Sequence, residues 1–201
     1  MPQSDPISER LDDLHDHWVS FADNPVARLL IWRVADGEYA MVNAFVARES
    51  EPALARTPDL FVELAAPFRS ETAYGAALAS ELCAQYSEAS QGVEADSERL
   101  WQAPKPRLPA HDVGNFVRLC TSFRAHHLGD HDEGKLVLWL NPTHVNSNAE
   151  YMRWLQRLVN EAPSELRVLV LDSTSAPELA PLAKVERERV VERTCALDMS
   201  S

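Results

Sequence analysis

Histidine and carboxylate side chains that could hold a metal ion gather between residues 126 and 132. His127 and His131 lie four positions apart, and Asp132 follows directly. Imidazole and carboxylate groups ligate zinc and manganese, and residues four apart share one face of a helix. Gly129 lies between the two histidines and weakens such a helix. The stretch leaves two interpretations open, a metal-dependent hydrolase site and a solvated turn, and the turn is favoured.

The same stretch contains the letters of a phosphate-binding loop. Gly129 and Gly134-Lys135 complete the pattern G-x-x-x-x-G-K, with Leu136 in the place of Ser or Thr. A phosphate loop follows a strand and opens a helix, so that the N–H groups of the helix terminus face the anion. Here the predicted order is helix, loop and strand, and three acidic side chains would repel phosphate. We therefore interpret the segment as a polar connection.

Polar side chains also follow the predicted strands, where ligands bind in open parallel sheets. They are Arg33, Asp36, Asn141, His144 and Asp172. A nucleotide-binding or hydrolytic enzyme would bind its ligand among these residues. Ser173 is the nearest candidate nucleophile, but we favour its role, with Thr174 and Ser175, as a cap of a helix that Pro177 begins. The chain has no Gly-x-Ser-x-Gly motif.

An aromatic and basic stripe lies on another predicted helix. Tyr151 and Trp154 are three residues apart, and Arg153 and Arg157 flank them. Packing in the core is the favoured interpretation of the two rings. The alternative is a protein contact surface, because Trp, Tyr and Arg are enriched at interface hot spots.

The composition is that of a folded and strongly acidic chain. Apolar residues make up 45% of the 201 residues, which suits a sizeable core, so we predict a single domain over residues 1–201. The net charge of −12, from 31 acidic and 19 basic side chains, repels phosphate backbones and anionic lipid. We therefore predict no nucleic-acid or membrane partner. The acidity gives solubility and also suits a basic protein partner, and homo-oligomer formation stays open.

Cysteine usage and hydropathy indicate the compartment. Cys83, Cys120 and Cys195 are too few and too scattered for a disulfide framework or a zinc site, so we predict reduced core residues. No apolar run approaches the roughly 20 residues that span a bilayer. The first residues lack the basic and apolar regions of a signal peptide. We expect a cytoplasmic protein.

Helix and strand signals alternate along the chain. Residues 1–24 carry an amphipathic helix, and residues 39–49 fit a helix or a strand, of which the alternation favours the helix. Residues 88–110 form a Pro-rich irregular loop that Trp101 is predicted to anchor. Further helices begin near residues 70, 111, 147 and 177, the third with a capping box at Ser147. Strands are predicted at residues 27–34, 60–64, 136–140, 166–171 and 190–197.

This order of elements predicts the fold class. Strands separated by helices favour a mostly parallel sheet of about five strands with helices on both faces. Right-handed crossovers then produce a three-layer α/β domain. The runs Leu136–Leu140 and Leu166–Leu171 are nearly continuous in apolar character, which is typical of central parallel strands.

The last three strands resemble the later core strands of the AAA-like and STAND-like P-loop NTPases. In this resemblance Leu136–Leu140 is the Walker B strand, Leu166–Leu171 the sensor strand and residues 194–198 the strand that closes the core. The departures lie at the catalytic positions. Asn141-Pro142 stands where the family has acidic residues that hold magnesium. Residues 35–39, after the first strand, have two acids and no lysine where the family has its glycine-rich phosphate loop.

The resemblance therefore implies the fold without the ATPase activity. The leading hypothesis is a non-catalytic protein-binding adaptor or chaperone-like module, without a cofactor. One alternative is a nucleotide-binding or hydrolytic enzyme with a site at the strand ends. A second is a metal-dependent hydrolase that uses residues 126–132.

Overall fold

The computed structural model describes residues 6–35, 37–91, 100–107, 112–129 and 133–195. Within these ranges the helices and strands follow the predicted alternation. The helices are α1 (Pro6–Ala22), α2 (Tyr39–Ser50), α3 (Tyr74–Ala89), α4 (Asp112–Leu128), α5 (Asn148–Glu161) and α6 (Ala180–Val185). The strands are β1 (Leu29–Val34), β2 (Leu60–Leu64), β3 (Leu136–Leu140), β4 (Leu166–Ser173) and β5 (Val190–Thr194).

The five strands of the described ranges form one parallel sheet in the order β2-β3-β4-β1-β5. Parallel neighbours need crossover connections, which the helices supply. β3 is buried along its whole length and β4 along most of its length. These two strands are neighbours, with Leu138 beside Val168. The predicted three-layer α/β architecture is confirmed.

The sheet separates two apolar cores. α1 and α2 cover one face, where the Phe61 ring contacts Trp18 at 4.9 Å and Phe45 at 5.9 Å between ring centroids. α3, α4, α5 and α6 cover the other face, where the Tyr74 and Trp154 rings pack at 4.7 Å. Aromatic rings bury large apolar areas and favour such tilted contacts. Both faces of the central strands are therefore shielded from water.

Two predicted local features are confirmed. Residues 39–49 form the helix that the alternation favours. Ser147 caps α5 as predicted, since its hydroxyl accepts the N–H of Glu150 at 3.4 Å, which is one of the two bonds of a capping box. The Glu150 side chain then adds an acid to the first turn of α5, where the helix dipole favours negative charge.

The start of the last helix differs from its prediction. α6 begins at Ala180, not at Pro177. Ser173 and Ser175 do not cap it, because their hydroxyls bond each other at 2.9 Å. The Asp172 carboxylate takes the backbone N–H groups of the residues before α6 and so delays the helix.

The predicted Pro-rich loop is described in part. α3 extends into it as far as Ala89, and residues 92–99 and 108–110 lie outside the described ranges. Trp101 is anchored on the body as predicted. Its backbone N–H donates to the Tyr86 hydroxyl at 2.7 Å, and its indole N–H donates to the Ser122 hydroxyl at 3.1 Å. The segment of residues 100–107 therefore lies against α3 and α4.

Arg167 carries a charge into the interior at the start of β4, where the residue is 1% exposed. Its guanidinium donates to the carbonyl oxygens of Ala22 at 3.5 Å and Asn24 at 3.2 Å. Helix ends leave carbonyl groups without intrahelical partners, and Arg167 supplies donors at the end of α1. Burial lowers the pKa of Arg167 to about 10. The cation ties α1 to the central sheet.

The first turns of α3 and α4 meet at the Asp112 carboxylate. This group accepts the N–H groups of Gly75 at 2.7 Å and Ala76 at 2.9 Å. The indole N–H of Trp154 in α5 donates to it at 3.0 Å. A Cβ at Gly75 would lie 2.7 Å from the Asp112 carbonyl oxygen, so the close approach requires glycine. One carboxylate therefore joins three helices.

We expect Asp112→Ala to lower the free energy of unfolding by about 3 kcal/mol, because three donors lose an ionised acceptor. Denaturant unfolding measures the change. Glu88→Ala removes an exposed carboxylate from α3 and is the control, with an expected change below about 0.5 kcal/mol. Equal effects of the two substitutions would show that Asp112 does not hold these helices together.

Candidate functional site

A crevice of about 320 Å³ opens at the carboxyl ends of β3 and β4, the place where ligands bind in sheets of this class. We call it the strand-end crevice. Its polar lining includes the predicted residues Asn141 and Asp172. It also includes Tyr39, Asn148 and Glu178, which sequence reasoning missed. All three follow turns that leave strand ends, and that position is the signal that could have identified them.

The Asp172 carboxylate is committed to the backbone of its own loop. It accepts the N–H groups of Ser173 at 3.0 Å, Glu178 at 3.1 Å and Leu179 at 3.0 Å. The residue is 7% exposed. Both carboxylate oxygens therefore satisfy backbone donors, which is a structural role for this acid of the crevice.

The other predicted strand-end residues do not converge on one point. Asn141 donates through its side-chain amide to the Glu63 carboxylate at 2.9 Å. Arg33 forms an ion pair with Glu192 on the edge strand β5. His144 is exposed, and its carbonyl oxygen accepts the N–H of Phe68. Asp36 lies outside the described ranges.

The turn from β1 to α2 is where a phosphate loop would lie. The Ala35 N–H donates to the Glu38 carboxylate at 2.7 Å, and the Glu38 N–H donates to the Ala35 carbonyl oxygen at 3.0 Å. Gly37 has a φ of 99°, a left-handed conformation that favours glycine. The Glu38 carboxylate thus already accepts a backbone N–H group just before the start of α2.

The histidine stretch is described only at its helical end. His126 and His127 belong to the last turn of α4, and the His127 ring packs at 4.3 Å from the Phe123 ring. Burial, with a smaller effect of His126, lowers the pKa of His127. His131 and Asp132 lie outside the described ranges, within which no cluster of three metal-ligating side chains occurs. A metal site in residues 126–132 stays a prediction.

The aromatic stripe of α5 faces inward. Tyr151 is 5% exposed and Trp154 is fully buried, so neither ring can serve as a protein contact surface, and packing in the core accounts for both. Burial raises the pKa of the Tyr151 hydroxyl well above its usual range. Arg153 and Arg157 are about half exposed and pair with Glu71 at 3.4 and 3.6 Å. A protein contact through these two arginines stays a prediction.

The cysteines offer no activated nucleophile in the described ranges. All three are free thiols, and Cys120 and Cys195 are buried. Burial raises the pKa of Cys195 to about 12 and also raises the pKa of Cys83 and Cys120. Since the thiolate is the nucleophilic form, the raised pKa values leave these thiols inactive, and Cys120 and Cys195 are core side chains while Cys83 packs against the core partly buried. Among the described helices, none has the length and apolar character that crossing a bilayer requires.

Comparisons with known proteins give a likeness in fold. No protein-family model matches the chain, and no curated protein matches it. It is similar to a chain in the structure of Drosophila ORC bound to GC-rich DNA and Cdc6, with 14% sequence identity and a TM-score of 0.58. The match covers 94% of this chain and 28% of that chain. The chain thus spans less than a third of the length of its structural neighbour.

The likeness at this level of identity concerns the fold alone. It supports the α/β fold that the resemblance to AAA-like NTPases implies, and it does not show membership of that family. The DNA and the Cdc6 in that structure are bound by the Drosophila assembly, and the likeness does not transfer their binding to this chain.

We expect Asp172→Ala to lower the free energy of unfolding by about 2 kcal/mol, because three backbone donors lose their acceptor. For a chain of this length, that change lowers Tm by roughly 4–8 °C. Asp172→Asn keeps one acceptor oxygen and should lose less, and Asp13→Asn, at an exposed acid, should change little. A Tm of Asp172→Ala equal to that of the parent would show that this carboxylate is free for a ligand.

Proposed function

We propose that this chain is a non-catalytic protein-binding module, of adaptor or chaperone-like type, on an NTPase-like core that holds no nucleotide. The observation that carries the proposal is the contact between the Glu38 carboxylate and the Ala35 N–H at 2.7 Å. In phosphate-binding loops such N–H groups face the anion. Here a side-chain carboxylate takes the donor, and its charge repels a phosphate.

The surroundings of this turn support the same proposal. Residues 35–39 contain no lysine, and the nearest cation on β1, Arg33, pairs with Glu192. The position that corresponds to the magnesium-binding acids holds Asn141-Pro142. The acid at the end of the neighbouring strand, Asp172, holds backbone N–H groups. Phosphate, magnesium and an attacking water would each lack their usual partner.

Charge favours a protein as the partner. α1 presents Asp13 and Asp16 at the surface, while Asp12 pairs with Arg56, in a chain of net charge −12. Such a face attracts a basic protein surface and speeds the encounter. The fold neighbour was solved together with Cdc6 and DNA, which supports a place for this fold in assemblies. The charge of this chain favours protein over nucleic acid as the component that it contacts.

Nucleotide binding is tested by the melting temperature of the full chain with and without millimolar Mg-ATP or Mg-GTP. We expect no rise. A nucleotide present at 100 times its Kd would add about 2.7 kcal/mol to the free energy of unfolding, which a thermal scan resolves easily. A rise in Tm that requires magnesium would overturn the proposal and favour the enzyme at the strand ends.

Protein binding is tested by purification of the tagged chain from its own cells, followed by kinetics with the partner so obtained. We expect a stoichiometric partner whose association slows about tenfold for Asp13→Lys/Asp16→Lys, and less so at high salt, because steering depends on charge. Glu88→Lys/Glu161→Lys makes the same charge change at exposed sites away from α1 and is the control. Equal slowing by both variants would exclude the α1 face, and recovery of neither a partner nor a self-associated form would contradict protein binding.

A further inference from the structure

A larger concavity lies between α3 and α4, on the helical layer that covers the other face of the sheet. Its volume is about 630 Å³, and we call it the α3–α4 groove. One wall is formed by small residues of α3, and the opposite wall by Phe116 and Leu119 of α4. Pro104 and Pro106 of the 100–107 segment close one side. The groove exists because Ala73, Ala76 and Ala79 carry too little side chain to fill the space between the helices.

The rim of the groove is basic on the side of residues 100–107 and α4, although the chain as a whole is acidic. Lys105 and Arg107 are exposed and alternate with the two lining prolines. Arg118 of α4 donates to the Lys105 carbonyl oxygen, and the Arg107 N–H donates to Asn115, a lining residue, at 2.9 Å. These bonds hold the backbone of Lys105 and Arg107, and the Arg118 guanidinium, beside the groove. Within residues 100–107 and α4, Asp112 is the single acid.

The acid that lines the groove does not reverse this local charge. Asp112 accepts two N–H groups of α3 and the indole N–H of Trp154. Its negative charge is thereby shared among three donors and the positive end of the α3 dipole. A negative group entering beside Lys105, Arg107 and Arg118 meets a favourable potential.

We propose that the α3–α4 groove binds a segment of a partner protein that carries apolar side chains and a net negative charge. The apolar walls accept the side chains, and the rim cations select the charge of the segment. The surface is distinct from the acidic face of α1 and opposite to it in sign. It can therefore be tested apart from the module's proposed encounter with a basic protein.

The experiment is a selection of random 16-residue peptides displayed on phage against the full chain, followed by Kd measurements on the enriched peptides. The expected peptides are acidic and contain several apolar residues. Lys105→Glu/Arg107→Glu should weaken their binding by about tenfold or more, whereas Lys184→Glu/Arg187→Glu, at exposed cations of the α6–β5 region, should not. Ala79→Trp fills the groove and should abolish binding, and Ala84→Trp, at an exposed position of the same helix, should not.

Four outcomes of the selection and of the Kd measurements would overturn the proposal, and a fifth concerns the chain itself. They are the absence of enriched peptides, enrichment of neutral or basic peptides, binding that survives Ala79→Trp in a protein with normal thermal unfolding, and equal losses in the two charge-reversed variants. Enrichment seen only after residues 108–111 are replaced by Gly and Ser would overturn it as well, because the chain itself would then be the occupant. If a partner copurifies with the chain and still binds Ala79→Trp, the proposed binding in the α3–α4 groove is wrong, whereas the proposed protein-binding function is supported.

Discussion

The helical layer formed by α3, α4 and α5 depends on one carboxylate. Asp112 begins α4, accepts two N–H groups at the start of α3 and receives the indole N–H of Trp154 from α5. Gly75 permits the contact, because any larger residue would collide with the Asp112 backbone. The two helices converge at this end, and the alanines of α3 leave the groove open beside it. The same constraint thus sets the packing of the layer and the shape of its surface.

The α/β architecture could be predicted from the sequence, because the need to bury apolar strands determines how the elements pack. A run such as Leu136–Leu140 cannot be left in water, and strands alternating with helices have few ways to form a sheet. The details that were missed depend on side chains that bond distant backbone groups. Asp172 bonds N–H groups six and seven residues ahead, and no periodicity records such a bond. The hydroxyl groups of Ser173 and Ser175 looked like caps from sequence, but the carboxylate is the stronger acceptor.

At the candidate site, too, polar side chains form their hydrogen bonds and ion pairs with other groups of the same chain. The crevice at the strand ends has the position of a ligand site, yet Asn141, Asp172 and Arg33 are bonded within the chain. Sequence reasoning placed these residues at the correct edge of the sheet, because the carboxyl ends of parallel strands are set by topology. It could not reveal that their partners were Glu63, the 178–179 backbone and Glu192. A polar residue can therefore lie at the edge of the sheet where ligands bind and still have its polar atoms bonded within the chain.

Arg167 has a consequence for where this domain can be divided. Its guanidinium lies in the apolar interior and donates to the Ala22 and Asn24 carbonyl groups beside α1 and to the Ser164 and Leu166 carbonyl groups beside β4. A shortened form that starts at β1 would remove the Ala22 and Asn24 acceptors and the Phe21 ring that the guanidinium faces, and would open this end of the sheet to water. The amino-terminal helix thus covers a cation and an apolar face together, and a truncation designed after residue 24 would expose Arg167 and the Phe61 ring that Trp18 covers.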